Sequence, residues 1–445
     1  MPAKGNTATR GKRKVFITAL LLIGLMVGLA ACRGFFGQAP IALLTYTPPT
    51  DTEVPVTVTF DISASSDPDG AIVSYELDYG DGNTDTGTDV TVALPPHTYT
   101  EAGPFTVTLT VTDGDGRIGT DSKIIATIGP VMITFASDRG GNYGIYRMLA
   151  DGTGETEVRN TASDELFPDL VRGTRNKIAY TAEDAIRWNI STMTVEGDAL
   201  AQLTTQTASN QIQPSWSYNA TKIAYASNAS QTPSASTWEI WTMTASGGSQ
   251  AKLTAQSPSW AIAPAYSPVS NDMVFVSGVK HDGTATTGGS AIIKRTAAGV
   301  LTTLYDSTGN DGNASPDMSA AFTTALDLPD GMISKPAWSP DGTKIAFSTD
   351  KDTAINIYVM DAAGTGVQTL EAYVNSLLSS SVTAGSITSG DDEFSPYWLE
   401  DESGLVFARE ETTGYNIYKV SFDDGSVTNL TDSTTDNNVM PAAKR

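Results

Sequence analysis

The chain has 445 residues, a formal charge of −23, 17 % charged residues and a single cysteine. That charge excludes nucleic acid and anionic lipid as partners of the folded part, and one thiol excludes an internal disulfide. The length allows two or three domains, and abundant Gly, Ser and Thr suit short strands joined by many turns.

The chain opens with a basic stretch containing Lys4, Arg10, Lys12, Arg13 and Lys14 and no acid. An apolar run follows at residues 15–28, too short to span a bilayer comfortably and right for a signal-peptide core. It ends in Leu29-Ala30-Ala31-Cys32, which resembles the bacterial lipoprotein signal. The resemblance implies removal of residues 1–31 and lipid on Cys32, which would anchor the protein to a membrane. An ordinary signal peptide or membrane anchor is the alternative. Arg33 stands where that family's inner-membrane retention signal has aspartate, which implies the outer membrane of a bacterial envelope, periplasmic or surface-facing. Residues 32–48 are low in charge, hold Pro40 and Pro48, and read as a tether.

Residues 49–129 alternate apolar and polar positions, as in Val54-Pro55-Val56-Thr57-Val58-Thr59-Phe60 and Phe105-Thr106-Val107-Thr108-Leu109-Thr110-Val111. Turn signals separate them at Asp67-Pro68-Asp69-Gly70, Gly80-Asp81-Gly82-Asn83 and Asp113-Gly114-Asp115-Gly116. This pattern predicts a β-sandwich. The phrases Tyr75-Glu76-Leu77-Asp78-Tyr79-Gly80-Asp81-Gly82 and His97-Thr98-Tyr99 closely resemble the PKD domain. That likeness implies an immunoglobulin-like sandwich used as a spacer or binding module. Leu77 departs from the family's usual tryptophan.

Residues 130–445 repeat one phrase, clearest as Lys335-Pro336-Ala337-Trp338-Ser339-Pro340-Asp341-Gly342-Thr343-Lys344-Ile345-Ala346-Phe347. Its inner prolines are Pro168, Pro214, Pro264, Pro336, Pro396 and Pro441. Such a period marks a solenoid or propeller. Each unit adds a third strand (Glu239-Ile240-Trp241-Thr242-Met243 is one), a Gly-containing turn, and a fourth strand ending in Leu-Thr or Leu. Six third strands predict six four-stranded blades. The first unit lacks a Pro-x-Trp strand, so Val439-Met440-Pro441-Ala442-Ala443 is expected to close the ring there. The repeat resembles the TolB-like propeller. The fold expected is therefore all-β: an immunoglobulin-like (PKD) sandwich followed by a six-bladed β-propeller closed by the C-terminal strand.

Chemistry is scarce. His97 belongs to the PKD-like phrase, His281 sits in a loop, and no Gly-x-Ser-x-Gly, His-Glu-x-x-His or phosphate loop occurs. No catalytic residue, required cofactor or metal site is predicted. The Asp-rich turns offer oxygens to Ca²⁺, but none has EF-hand spacing, so solvated turns are favoured. Long insertions at 229–237, 279–289, 305–335 and 371–391 are all expected on one propeller face. The residues four and three before each inner proline should ring the channel mouth on that face. They are Asn437-Asn438, Asp164-Glu165, Asn210-Gln211 and Asp392-Glu393 on an acidic, amide-rich side, with Trp260 and Met332 on an apolar side. The resulting expectation is a non-enzymatic, lipid-anchored envelope protein whose mouth binds a protein or peptide. A glycan-binding or polysaccharide-processing role is the alternative.

Overall fold

The structure is a computed structural model that describes residues 37–47, 52–172, 176–184, 187–207, 209–229, 238–254, 260–277, 291–306, 335–349, 355–378, 387 and 391–444. The chain divides into two compact units between Gly129 and Pro130. Cys32 and Met332 lie outside the described residues, as do residues 279–289 and most of 229–237 and 305–335.

The first unit is a sandwich. Thr45–Thr47, Val56–Asp61 and His97–Tyr99 form one sheet; Thr52–Glu53, Ile118–Ile128, Gly103–Asp113, Ile72–Asp78 and Thr84–Gly87, in that order, form the other. The alternation works as expected: Val56, Val58 and Phe60 face Val107, Leu109 and Val111 in one apolar core. Leu77 fills the position of the missing tryptophan and is fully buried there. His97 is a packing residue. Its ring stacks on Tyr79 at 3.9 Å, its Nε2 lies 2.7 Å from Asp81 Oδ2, and Tyr99 donates to the Tyr79 carbonyl. The expected tether is corrected. Thr45–Thr47 pairs with Val56–Asp61, Ile41 bridges Ser66, and Leu44 is buried in the core. Gly119 makes this entry possible, because a Cβ there would collide with the Pro40 carbonyl oxygen.

Among its described residues the second unit forms six four-stranded antiparallel sheets. Blade two shows the plan: Glu165–Leu170 innermost, then Lys177–Asp184, Arg187–Thr194 and Ala201–Gln202. In blade one the innermost strand is Asn438–Lys444, paired antiparallel with Met132–Ser137. The last strand therefore closes the ring and covers the inner edge of Met132–Ser137.

Packing between blades explains the repeated phrase. Inner strands are covered on both sides, as the unbroken burial of Gln211–Trp216 shows. Small or slim residues at the centre of the second strand (Ala179, Ala224, Val274, Ala346, Val406) are completely buried. The tryptophan of the phrase ties blades together: Trp338 Nε1 donates to the Ala265 carbonyl at 3.0 Å, and Trp398 Nε1 to that of Ala337 at 3.1 Å. Trp216 keeps the position, and its Nε1 has no partner among the described residues.

The Leu-Thr phrase has a second role. Thr204 Oγ1 accepts from Ile190 N and donates to Asn189 Oδ1, fastening the outer strand to the third. Thr254 and Thr431 repeat this bond to Ile240 N and Ile417 N. Blade five has Leu370 followed by Glu371, and there the outer strand gives way to a helix, Leu370–Leu377, capped by Thr369. The insertion expected at 371–391 thus begins as helix. Leu370 and Val374 are buried, and Tyr373 packs edge-on against Trp398 and Phe422 of blade six.

Candidate functional site

The inner strands begin at the blade boundaries. There the first residue of three expected mouth pairs reaches back to the preceding blade. Asp164 Oδ1 accepts from Tyr143 N at 2.9 Å, Asn210 Oδ1 from Trp188 N at 3.2 Å, and Asp392 Oδ1 from Ile355 N at 2.8 Å. The second residue's backbone completes the staple: Glu165 N donates to the Tyr143 carbonyl, Glu393 N to that of Ile355, and Ala261 N to that of Trp238. Asn437 differs, donating from its backbone and side-chain nitrogens to Asp138 of its own blade.

The second side chains do not ring an open mouth. Glu165, Gln211, Glu393 and Asn438 are each at most 2 % exposed. Glu165 binds Thr161 and Arg159, Glu393 pairs with Arg409 at 2.8 Å, Gln211 meets Ser209, and Asn438 accepts from Arg139. Strand alternation is the reason: if the first residue of a pair faces the rim, the next must point between the sheets. Burial raises the Glu165 carboxyl and pushes that of Glu393 up to about 7, against the pull of Arg409. Asp164, Asn210, Asp392, Asn437 and Trp260 remain partly exposed.

Deeper in the ring, the residue before the inner proline has a left-handed backbone in five blades. These are Phe167, Gln213, Ala263, Ser395 and Met440, with φ between 50° and 57°. Each sits in a bulge of the inner strand. The bulge takes the proline, which has no N–H to donate, out of the ladder. A non-glycine residue held this way costs about 1–3 kcal/mol and persists only where its surroundings over-determine it.

The channel narrows at this level to a cavity of about 30 Å³, lined by Phe167, Lys335, Ser395, Tyr397, Met440 and the prolines between them. Lys335 of blade five reaches across the ring. Its Nζ donates to Asp169 Oδ1 of blade two at 3.2 Å and to the Pro214 carbonyl of blade three at 2.8 Å. Asp169 also accepts from Trp216 N and the Tyr397 hydroxyl. Sequence reasoning missed this cluster. Its signal was the one lysine before a proline where other blades have Phe, Gln, Ala, Ser or Met.

The Asp-rich turns close on themselves. Oδ1 of Asp67, Asp81, Asp113, Asp151, Asp341 and Asp424 each accepts the N–H two residues on. The Ser426 backbone and hydroxyl hold the Asp424 carboxyl down to about 2. Among the described residues, no three His, Cys, Asp or Glu side chains gather as a metal site, and no helix is long and apolar enough to cross a membrane.

Comparison with known proteins agrees with both units. The PKD domain family matches residues 37–128. Collagenase ColA of Clostridium perfringens is 33 % identical over 114 residues, which is 25 % of this chain and 10 % of that protein. The pre-pro-metalloprotease PrtV of Vibrio cholerae is 44 % identical over 75 residues, 17 % of this chain and 8 % of that protein. The chain thus spans a tenth or less of these relatives. The solved structure of TolB from Acinetobacter baumannii is similar over 78 % of this chain and 81 % of its own, with a TM-score of 0.51 and 16 % identity. At that identity the likeness speaks to the fold alone. Residues 37–128 are a PKD domain, and a six-bladed propeller of TolB-like fold follows it.

Proposed function

We propose that this is a non-enzymatic envelope protein, anchored by lipid on Cys32, whose propeller binds a protein or peptide while the PKD domain serves as spacer. The observation that carries the binding reading is the placement of exposed apolar side chains on the propeller. Five of the six large apolar side chains exposed among the described propeller residues, Leu200, Tyr218, Val269, Val300 and Val367, are 38 % to 60 % exposed; the sixth, Leu377, ends the blade-five helix. All five lie on the tight turns joining first to second or third to fourth strands, in blades two to five. Apolar side chains grouped on one face favour a protein surface over a sugar or a nucleic acid. This moves the expected contact from the insertion-bearing face to the turn face, because the mouth pairs are committed to holding blades together.

The test is capture of partners from solubilised membranes by the tagged chain. Tyr218→Ser with Val269→Ser should abolish capture of a defined protein and leave the melting temperature unchanged. Asp164→Asn with Asp392→Asn, on the opposite face, should leave capture intact. The reverse pattern would overturn the turn-face assignment. Recovery of polysaccharide with no protein would favour the glycan role.

A further inference from the structure

The propeller face that carries the exposed apolar side chains is divided in charge. Leu200, Tyr218, Val269, Val300 and Val367 belong to blades two to five. In those blades the turn carboxylates meet cations: Glu196 pairs with Arg147, Asp272 with Lys294 at 3.4 Å and Asp361 with Lys344 at 2.6 Å. Lys177 and Lys222 add exposed positive charge where the second strands of blades two and three begin.

Blades six and one complete the face and differ. Their tight turns are 399–403, 422–426 and 150–155. These hold seven carboxylates and no Lys or Arg. Arg172 reaches Glu400, and Arg139 reaches Glu155, from outside the turns. The other five, Asp151, Asp401, Glu402, Asp423 and Asp424, are exposed. Lys419 stands near Asp151, but its ammonium is given to the Ala150 carbonyl at 3.3 Å. Among the described residues of these two blades, no large apolar side chain is exposed.

The two sectors together narrow the occupant. Exposed apolar side chains favour a protein surface. Exposed carboxylates beside them attract cations and repel an acidic surface, which disfavours a second copy of this chain with its charge of −23.

We propose that the turn face docks a basic, apolar protein segment, with apolar side chains over blades two to five and Lys or Arg side chains over blades six and one. This occupant rests on the turn-face reading above and adds to it the charge of the partner.

The test is calorimetric titration of the purified chain at low ionic strength with three synthetic peptides. The first joins a Leu/Ser half to a Lys/Ser half. The second joins the same Leu/Ser half to a Glu/Ser half. The third replaces every Leu of the first by Ser. Saturable binding of the first is expected, about tenfold or more tighter than either of the others. The combined variant Asp401→Asn, Glu402→Gln, Asp423→Asn, Asp424→Asn should weaken it about tenfold, the scale of four exposed charges. Asparagine keeps the Oδ1 that accepts from Ser403 N at position 401 and from Ser426 N at position 424, so the melting temperature should match the parent's. On the opposite face, Glu183→Gln, Asp184→Asn, Glu410→Gln and Asp432→Asn together remove as many charges and should leave binding unchanged.

No loss from the first variant, or equal loss from both, would overturn the basic occupant. So would no saturable binding of the first peptide, which leaves the turn-face reading to the capture experiment. Tyr218→Ser with Val269→Ser separates the two sectors. If that change abolishes binding while the four neutralised turn residues do not, the apolar turn face stands and its charged half falls. Binding that survives both changes would remove both.

Discussion

The two ends of the inner strands carry similar polar groups and resolve them differently. At the starts, each charge or amide finds its partner in its own blade or the one before, as Glu393 does in Arg409 and Asp164 in the Tyr143 backbone. At the lumen, Lys335 of blade five bonds Asp169 and Pro214 in blades two and three. A repeat can specify contacts between neighbours, because each copy meets the next in the same way. It cannot specify what meets across the ring, where single substitutions decide. The starts are therefore expected to govern stability, and the turn face to govern binding.

The largest effect should come from deleting residues 438–444. This removes the inner strand of blade one, including the buried Val439, Met440, Ala442 and Ala443, and opens Met132–Ser137 as an edge. Loss of cooperative unfolding in calorimetry, with aggregation, is expected. A melt like the parent's would break the claim that the ring depends on closure.

Glu393→Ala is next. It leaves the Arg409 guanidinium buried without its carboxylate, which costs about 3–5 kcal/mol by denaturant unfolding. Glu393→Gln sharpens the comparison through pH. The folded carboxyl titrates at about 7, above its ordinary value near 4.5. Between those values the folded state retains a proton that the unfolded chain has released, so stability falls as pH rises through the window and levels off above it. The parent should lose more stability than Glu393→Gln between pH 5 and 7.5. Parallel curves would show that the buried pair does not titrate there.

The smallest change is Thr204→Val, which removes the bonds to Ile190 N and Asn189 and should cost about 1–2 kcal/mol. No measurable loss would show that the outer strand needs no such fastening.

Much of the fold was legible in the sequence because its signals are local and repeated. Period-two alternation set the sandwich strands, the recurring proline-tryptophan phrase set the repeat, and six third strands set the blade count. The absence of that phrase before Val131 located the closing strand. The start of the sandwich was not legible, since 37–47 is low in charge like a linker, and its place depends on a close approach at Gly119. The helix Leu370–Leu377 was missed because its apolar pair, Leu370 and Val374, acquires meaning only against Trp398 and its neighbours.

The candidate site was less legible, and the physical reason is direction. Spacing from each proline located Asp164 and Glu165 along the strand correctly, but pleating sends them to different environments, so half the expected mouth became blade-to-blade bonds. The sequence by itself determined the all-β class, the blade count and the ring's closure, because periodicity and pairing depend on neighbours along the chain or between consecutive copies. Only the tertiary structure decided that Lys335 meets Asp169, that Lys444 stands over Tyr397, and that five exposed apolar side chains share the turn face. Those contacts join residues far apart in sequence, brought together when the sixth blade returns to the first.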